Sequence, residues 1–101
     1  MWVFAMFDLP TQTSQERRAY ARFRKLLLED GFSMMQYSIY FRHCASIENA
    51  EVHVKRMAER VPEMGEVRFL TITDKQFGRI KVYVGKKRQP QPSSPSQLEF
   101  F

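Results

Sequence analysis

The apolar residues begin as an unbroken block, Trp2-Val3-Phe4-Ala5-Met6-Phe7, and stop at Asp8-Leu9-Pro10. The block predicts a strand over Trp2 to Asp8 closed by a turn, because Asp and Pro both favour turns and Pro cannot continue a ladder. The spacing then changes to helical. Ala19, Tyr20, Phe23, Leu26 and Leu27 fall on one side of a 3.6-residue period. Thr13 and Glu16 stand at capping-box spacing just before it. Gly31 supplies the stop, since it takes a left-handed conformation at no steric cost.

From Phe32 to Arg42 the chain is again strand-like, with alternation at Tyr37, Ile39 and Phe41. It is long enough for one bent strand or two short ones folding back near Gln36 to Ser38, and no Gly or Pro decides between them. Ser46 caps a second helix reaching about Val61, with Ile47, Ala50, Val54, Met57, Ala58 and Val61 facing inward. Pro62 and Gly65 punctuate its end. Glu66 to Thr73 reads as a strand, Asp74 to Phe77 as a polar turn, and Arg79 to Val84 as another strand. Residues 1–84 therefore make the domain. Residues 85–96, basic at first and then rich in Gln, Pro and Ser, read as an extended linker. Residues 97–101, Gln-Leu-Glu-Phe-Phe, read as a short closing strand at a sheet edge.

The first strand breaks the usual rule for a helix-backed antiparallel sheet, which has one apolar face and one wet face. Val3, Ala5 and Phe7 point one way, and Trp2, Phe4 and Met6 point the other. With both helices on one face, the other would expose Trp2 and its neighbours, joined by Tyr40, Leu70 or Tyr83. Such a patch is larger than soluble monomers leave exposed. A two-fold dimer packed sheet to sheet would cover it; cover from the chain's own tail is the alternative. The expected dimer residues are Trp2, Phe4 and Met6, with Leu98 and Phe100 of the closing segment.

Charge narrows the partners. Sixteen Lys and Arg against eleven Asp and Glu give +5 and a pI near 9.7, which suits a polyanion. A membrane partner is disfavoured because no apolar run approaches the roughly 20 residues of a span. The apolar N-terminal run has no basic lead and no small-residue cleavage site, so it is not read as a signal peptide. The single cysteine, Cys44, allows no intrachain disulfide and fits a reducing cytoplasm. It reads as an inert, half-buried thiol.

Asp8 is the carboxylate of most chemical interest, because it sits where a rigid apolar strand leaves the sheet. Turn initiation before Pro10 accounts for it alone. Paired across a dimer axis, however, two copies would make an oxygen site for magnesium, which keeps most of its waters and can activate water or polarise a phosphate. The first helix carries Arg17, Arg18, Arg22, Arg24 and Lys25, of which Arg18, Arg22 and Lys25 project together, and Lys86, Lys87 and Arg88 form a second basic cluster. Either is an ordinary solvated face or a phosphate-binding one that reads no bases. His43 and His53 fit no compact metal motif and read as surface or boundary residues. The four glycines are scattered, so there is no phosphate loop.

Several stretches together resemble a known family. They are Trp2-Val3-Phe4-Ala5-Met6-Phe7-Asp8-Leu9-Pro10, Glu16-Arg17-Arg18, Phe23-Arg24-Lys25-Leu26-Leu27, Asp30-Gly31-Phe32, Gln36-Tyr37-Ser38-Ile39-Tyr40-Phe41 and Val67-Arg68-Phe69-Leu70-Thr71-Ile72-Thr73. In order and spacing they are similar to CRISPR-associated protein two, the small adaptation subunit. Lys75-Gln76-Phe77 and the apolar C-terminus resemble its type II branch, which works beside an RNA-guided effector nuclease.

The resemblance implies an α+β fold: a ferredoxin-like βαββαβ core with additional C-terminal strands that complete a homodimer. It also implies that Phe32 to Arg42 splits into two strands. In function it implies spacer acquisition, with the dimer binding double-stranded DNA and bridging dimers of the CRISPR integrase. The alternative it carries is a magnesium-dependent endonuclease acting on RNA or double-stranded DNA through Asp8 of both protomers. A toxin-like ribonuclease or RNA-binding module on the same fold is a third reading.

Overall fold

A computed structural model describes residues 1–91. Its elements run β1 (Trp2–Asp8), α1 (Ser14–Glu29), β2 (Ser33–Gln36), β3 (Ile39–His43), α2 (Ile47–Ala58), β4 (Glu66–Ile72), α3 (Asp74–Gly78), β5 (Val82–Val84) and β6 (Lys87–Gln89). The first four strands form an antiparallel sheet in the order β2-β3-β1-β4, and β5 pairs with β6 in a separate hairpin. This is the expected α+β, ferredoxin-like βαββαβ core with added C-terminal strands. The expected closing strand, with Leu98 and Phe100, lies outside the described residues. So do residues 92–96 of the expected linker.

The termini of α1 follow from local chemistry. Thr13 Oγ1 accepts from Glu16 N–H at 3.0 Å while Glu16 Oε1 accepts from Thr13 N–H at 2.8 Å, which satisfies two donors a helix start leaves free. At the other end Gly31 has φ +91°. Its N–H donates to Leu28 O at 3.1 Å, and Phe32 N–H donates to Leu27 O at 3.0 Å. That pair of bonds is a Schellman stop, and Phe32 and Leu27 both enter the core beside it.

Phe32 to Arg42 splits into two strands, as the resemblance implied. The turn falls at Tyr37-Ser38, where Ser38 takes φ +64° without glycine. It is held by Phe7 N–H donating to Ser38 O at 2.9 Å.

One face of the sheet carries the main core. Val3, Ala5, Phe7 and Tyr40 meet Phe23 and Leu27 of α1 and Ala50 and Met57 of α2. Tyr40, expected among the exposed residues of the opposite face, belongs to this core, because its register partner is Ala5. The pattern predicts an exposed Trp2 on the opposite face, and the structure differs. Trp2 is 1% exposed and packs with Phe4 and Phe77 in a second core. The cover is α3, five residues that read as a polar turn. Thr73 and Gln76 cap it reciprocally, and its Phe77 is driven onto the Trp2 ring. Leu70 and Tyr83 do remain exposed, as expected.

Two further corrections concern the edges. The second helix ends at Ala58 rather than near Val61, and its Ile47 and Ala58 face solvent. Residues 86–89, which read as the start of a linker, form the turn and second strand of the β5–β6 hairpin. Among the described residues no helix is long and apolar enough to cross a membrane.

Candidate nucleic-acid interface

Asp8 has the strand parity of Trp2, Phe4 and Met6, so its side chain leaves the sheet on the face away from α1 and α2. It is exposed, and among the described residues no cation pairs with it. Its register partner on β4 is Glu66, whose Oε2 already accepts from Arg68 Nη1 at 3.0 Å. Among the described residues no three His, Cys, Asp or Glu side chains gather as a metal site. At this strand end one chain therefore offers, among the described residues, a single unpaired carboxylate. That is half of what the expected magnesium site uses, and it fits an ion that retains its waters only when a second copy supplies the other half.

The connection from α2 to β4 runs close against this strand end. Gly65 has φ +95°, and a Cβ there would fall 2.6 Å from Asp8 O and 2.9 Å from the Leu9 side chain. Only glycine permits that approach. Val61 is anchored against the main core. Arg60 to Met64, the stretch that leads into Gly65, form one wall of a groove whose other wall is the first half of α1. The groove has a volume of about 850 Å³ and an apolar floor that includes Leu9, Pro10, Ala19 and Val61. Arg18 and Arg22, one helical turn apart, line it, and so does Arg60 from the far wall.

The predicted cations therefore divide. Arg18 and Arg22 share the groove and, among the described residues, form no ion pair. Arg17 is tied back, its Nη1 donating to Thr11 O at 3.2 Å and Gln12 O at 2.9 Å, so it braces the loop after β1. Lys86, Lys87 and Arg88 are exposed on the hairpin, with Arg88 beside Gly78 and Ile80 at the end of α3. The two basic clusters line different clefts, Arg18 and Arg22 beside Leu9 and Pro10, and Arg88 beside Gly78 and Ile80. One chain does not merge them.

The histidines and the cysteine are structural. His53 reads from sequence as a surface or boundary residue, and in the structure it is buried. Its Nδ1 lies 2.8 Å from Asp30 Oδ2, and Arg56 Nη1 donates to Asp30 Oδ1 at 2.5 Å. Arg42 Nη1 donates to Asp30 O beside them. Sequence reasoning missed this cluster, since Asp30 and His53 stand 23 residues apart with no local signal. His43 packs edge-on against Trp2 and bonds Asp74 at 3.1 Å. Cys44 is fully rather than half buried, and burial pushes its thiol up, against the opposing pull of Arg42.

The fold and the site define a small ferredoxin-like α+β protein with an arginine-lined groove and one free carboxylate at the end of its first strand. The profile of the family described as CRISPR associated protein Cas2 matches residues 1–80. A relative from Parvibaculum lavamentivorans, named CRISPR-associated endoribonuclease Cas2, is 79% identical over the full length of both chains. A relative of the same name from Flavobacterium psychrophilum is 52% identical over all of this chain and 88% of its own. The chain belongs to the Cas2 family. The crystal structure of Streptococcus pyogenes Cas2 at pH 6.5 superposes with a TM-score of 0.61 at 20% identity, covering 83% of this chain and all of that one, which supports the fold.

Proposed function

We propose that this chain acts in CRISPR adaptation as a homodimer that binds double-stranded DNA and bridges integrase dimers during spacer acquisition. The observation that carries the reading is the pair Arg18 and Arg22, without an ion-pair partner among the described residues and presented together at one groove, in a protein of net charge +5. Foreign DNA varies in sequence, so binding through phosphates, which carry no base information, suits its capture. Trp2 does not argue for the dimer, because α3 covers it. The argument rests instead on Leu70, 45% exposed on the face that carries half-buried Met6, and on β4, which among the described residues ends the sheet with one edge unpaired. Work beside an effector nuclease, in the cytoplasm, belongs to the same proposal.

The test is spacer capture in cells carrying the integrase and a repeat array. Asp8→Ala supports capture, whereas Arg18→Ala with Arg22→Ala abolishes it while the protein stays folded. Loss of capture in a folded, dimeric Asp8→Ala protein would contradict the bridging role.

A second reading is favoured by the free carboxylate of Asp8 and by the endoribonuclease named in the relatives. In it Asp8 of two protomers holds magnesium, which would polarise a phosphate or activate water. It requires magnesium-dependent cleavage of RNA or duplex DNA that disappears on Asp8→Asn. With only Asp8 unpaired at that strand end among the described residues, it is the weaker of the two.

A further inference from the structure

Arg60 has no role in the reading above, yet it lines the same groove as Arg18 and Arg22 from a different element. Its backbone is fixed on both sides. Arg60 N–H donates to Met57 O at 3.0 Å at the end of α2, and the next residue, Val61, packs on the main core. Gly65 then brings the loop back against Asp8 and Leu9. The guanidinium thus stands on a rigid base, exposed, and among the described residues without a carboxylate partner.

The same groove holds two acids. Glu16 Oε1 is occupied by the N–H groups of Gln12 and Thr13, at 3.0 and 2.8 Å, and so is turned to the helix cap. Glu63 is the other, with no such engagement. We propose that Arg18, Arg22 and Arg60 form a three-point phosphate clamp for the backbone of duplex DNA, opposed by Glu63. The proposal rests on the DNA-binding reading and adds to it a phosphate ligand from outside α1. Arginine suits the position, since its planar fork matches phosphate geometry. An apolar floor also lets long cationic side chains lay their stems down while their heads stay at the rim. Of the two aromatic residues that line the groove, Phe23 is 1% exposed and Tyr20 is half-buried with its ring edge-on to Phe7. Three guanidinium groups address backbone phosphates, the part of a duplex that is the same in every sequence.

The experiment measures binding of a short labelled DNA duplex across a salt series for the full chain, Arg60→Ala, Glu63→Gln and Lys55→Ala. Arg60→Ala weakens binding roughly tenfold at low salt and flattens the plot of log affinity against log salt by about 0.9 for each phosphate it leaves without a cation. Glu63→Gln tightens binding several-fold, and Lys55→Ala, outside the groove, leaves it unchanged. If the unaltered chain binds duplex and Arg60→Ala matches it in affinity and slope, the clamp is overturned while the DNA-binding reading stands. If the unaltered chain ignores duplex, both fall.

Discussion

The indole of Trp2 lies flat on the ring of Phe77, with centroids 3.8 Å apart and planes 6° from parallel. The stack joins the first strand to a five-residue helix more than seventy residues later. It replaces, within one chain, the cover that the sequence pattern assigned to a second copy. Phe41 and Phe4 complete the aromatic cluster.

Phe77→Ala is expected to cost about 3–5 kcal/mol, the usual range for emptying an aromatic core position. Trp2 is the only tryptophan, so its emission reports directly. The substitution shifts emission to the red in the folded state and lowers the urea midpoint. Trp2→Phe costs less, because among the described residues its buried Nε1 has no partner, and an unsatisfied donor leaves with the ring. Equal destabilisation by the two would argue against this account of the second core.

Asp30 ties the end of α1 to α2 and, through Arg42, to β3. Its side chain is 6% exposed while Arg56 is 55% exposed. Asp30→Ala should therefore cost about 1–3 kcal/mol, since it leaves the buried His53 Nδ1 without its acceptor while Arg42 keeps its bond to the backbone carbonyl. Arg56→Ala costs about 1 kcal/mol or less, as expected of a pair screened by solvent. Urea unfolding of the two variants checks the ordering.

Asp74 accepts from the Met1 ammonium at 2.7 Å and from His43 at 3.1 Å. The hydrogen bond from the ammonium, with His43 adding to it, holds its carboxyl below the usual value despite some burial. A carboxylate with a depressed folded-state pKa contributes stability that is present above its unfolded pKa, about 3.9, and lost as pH falls through the folded value. Asp74→Asn should lower stability near neutral pH and make the decline below about pH 4 shallower. Urea midpoints measured from neutral to strongly acid pH test this; an unchanged acid limb would sever the link between Asp74 and the N-terminus.

The elements of the core were legible wherever the signal was local. Thr13 and Glu16 carry the start of α1 and Gly31 its stop, and each acts within four residues. The division at Tyr37-Ser38 was not legible from the residues, because Ser38 takes a positive φ that serine does not advertise. Only the resemblance implied it. The helix α3 was missed because five residues cannot display a helical period, although Thr73 and Gln76 stand at the same capping spacing as Thr13 and Glu16. That omission alone led to the expectation of an exposed Trp2. At the candidate site, Asp8, Arg18 and Arg22 could be read from one strand and one helix face. Arg60 could not, since only the fold of the α2–β4 loop, through Gly65, brings it to the groove.

The central claim is that this protein works by holding duplex DNA rather than by cutting it. Sedimentation of the purified chain with a labelled duplex at low salt tests it most directly. The account predicts a complex containing two chains, unaffected by Asp8→Ala, lost on Arg18→Ala with Arg22→Ala, and dissolved as salt rises. A chain that sediments as a monomer beside free duplex would contradict it.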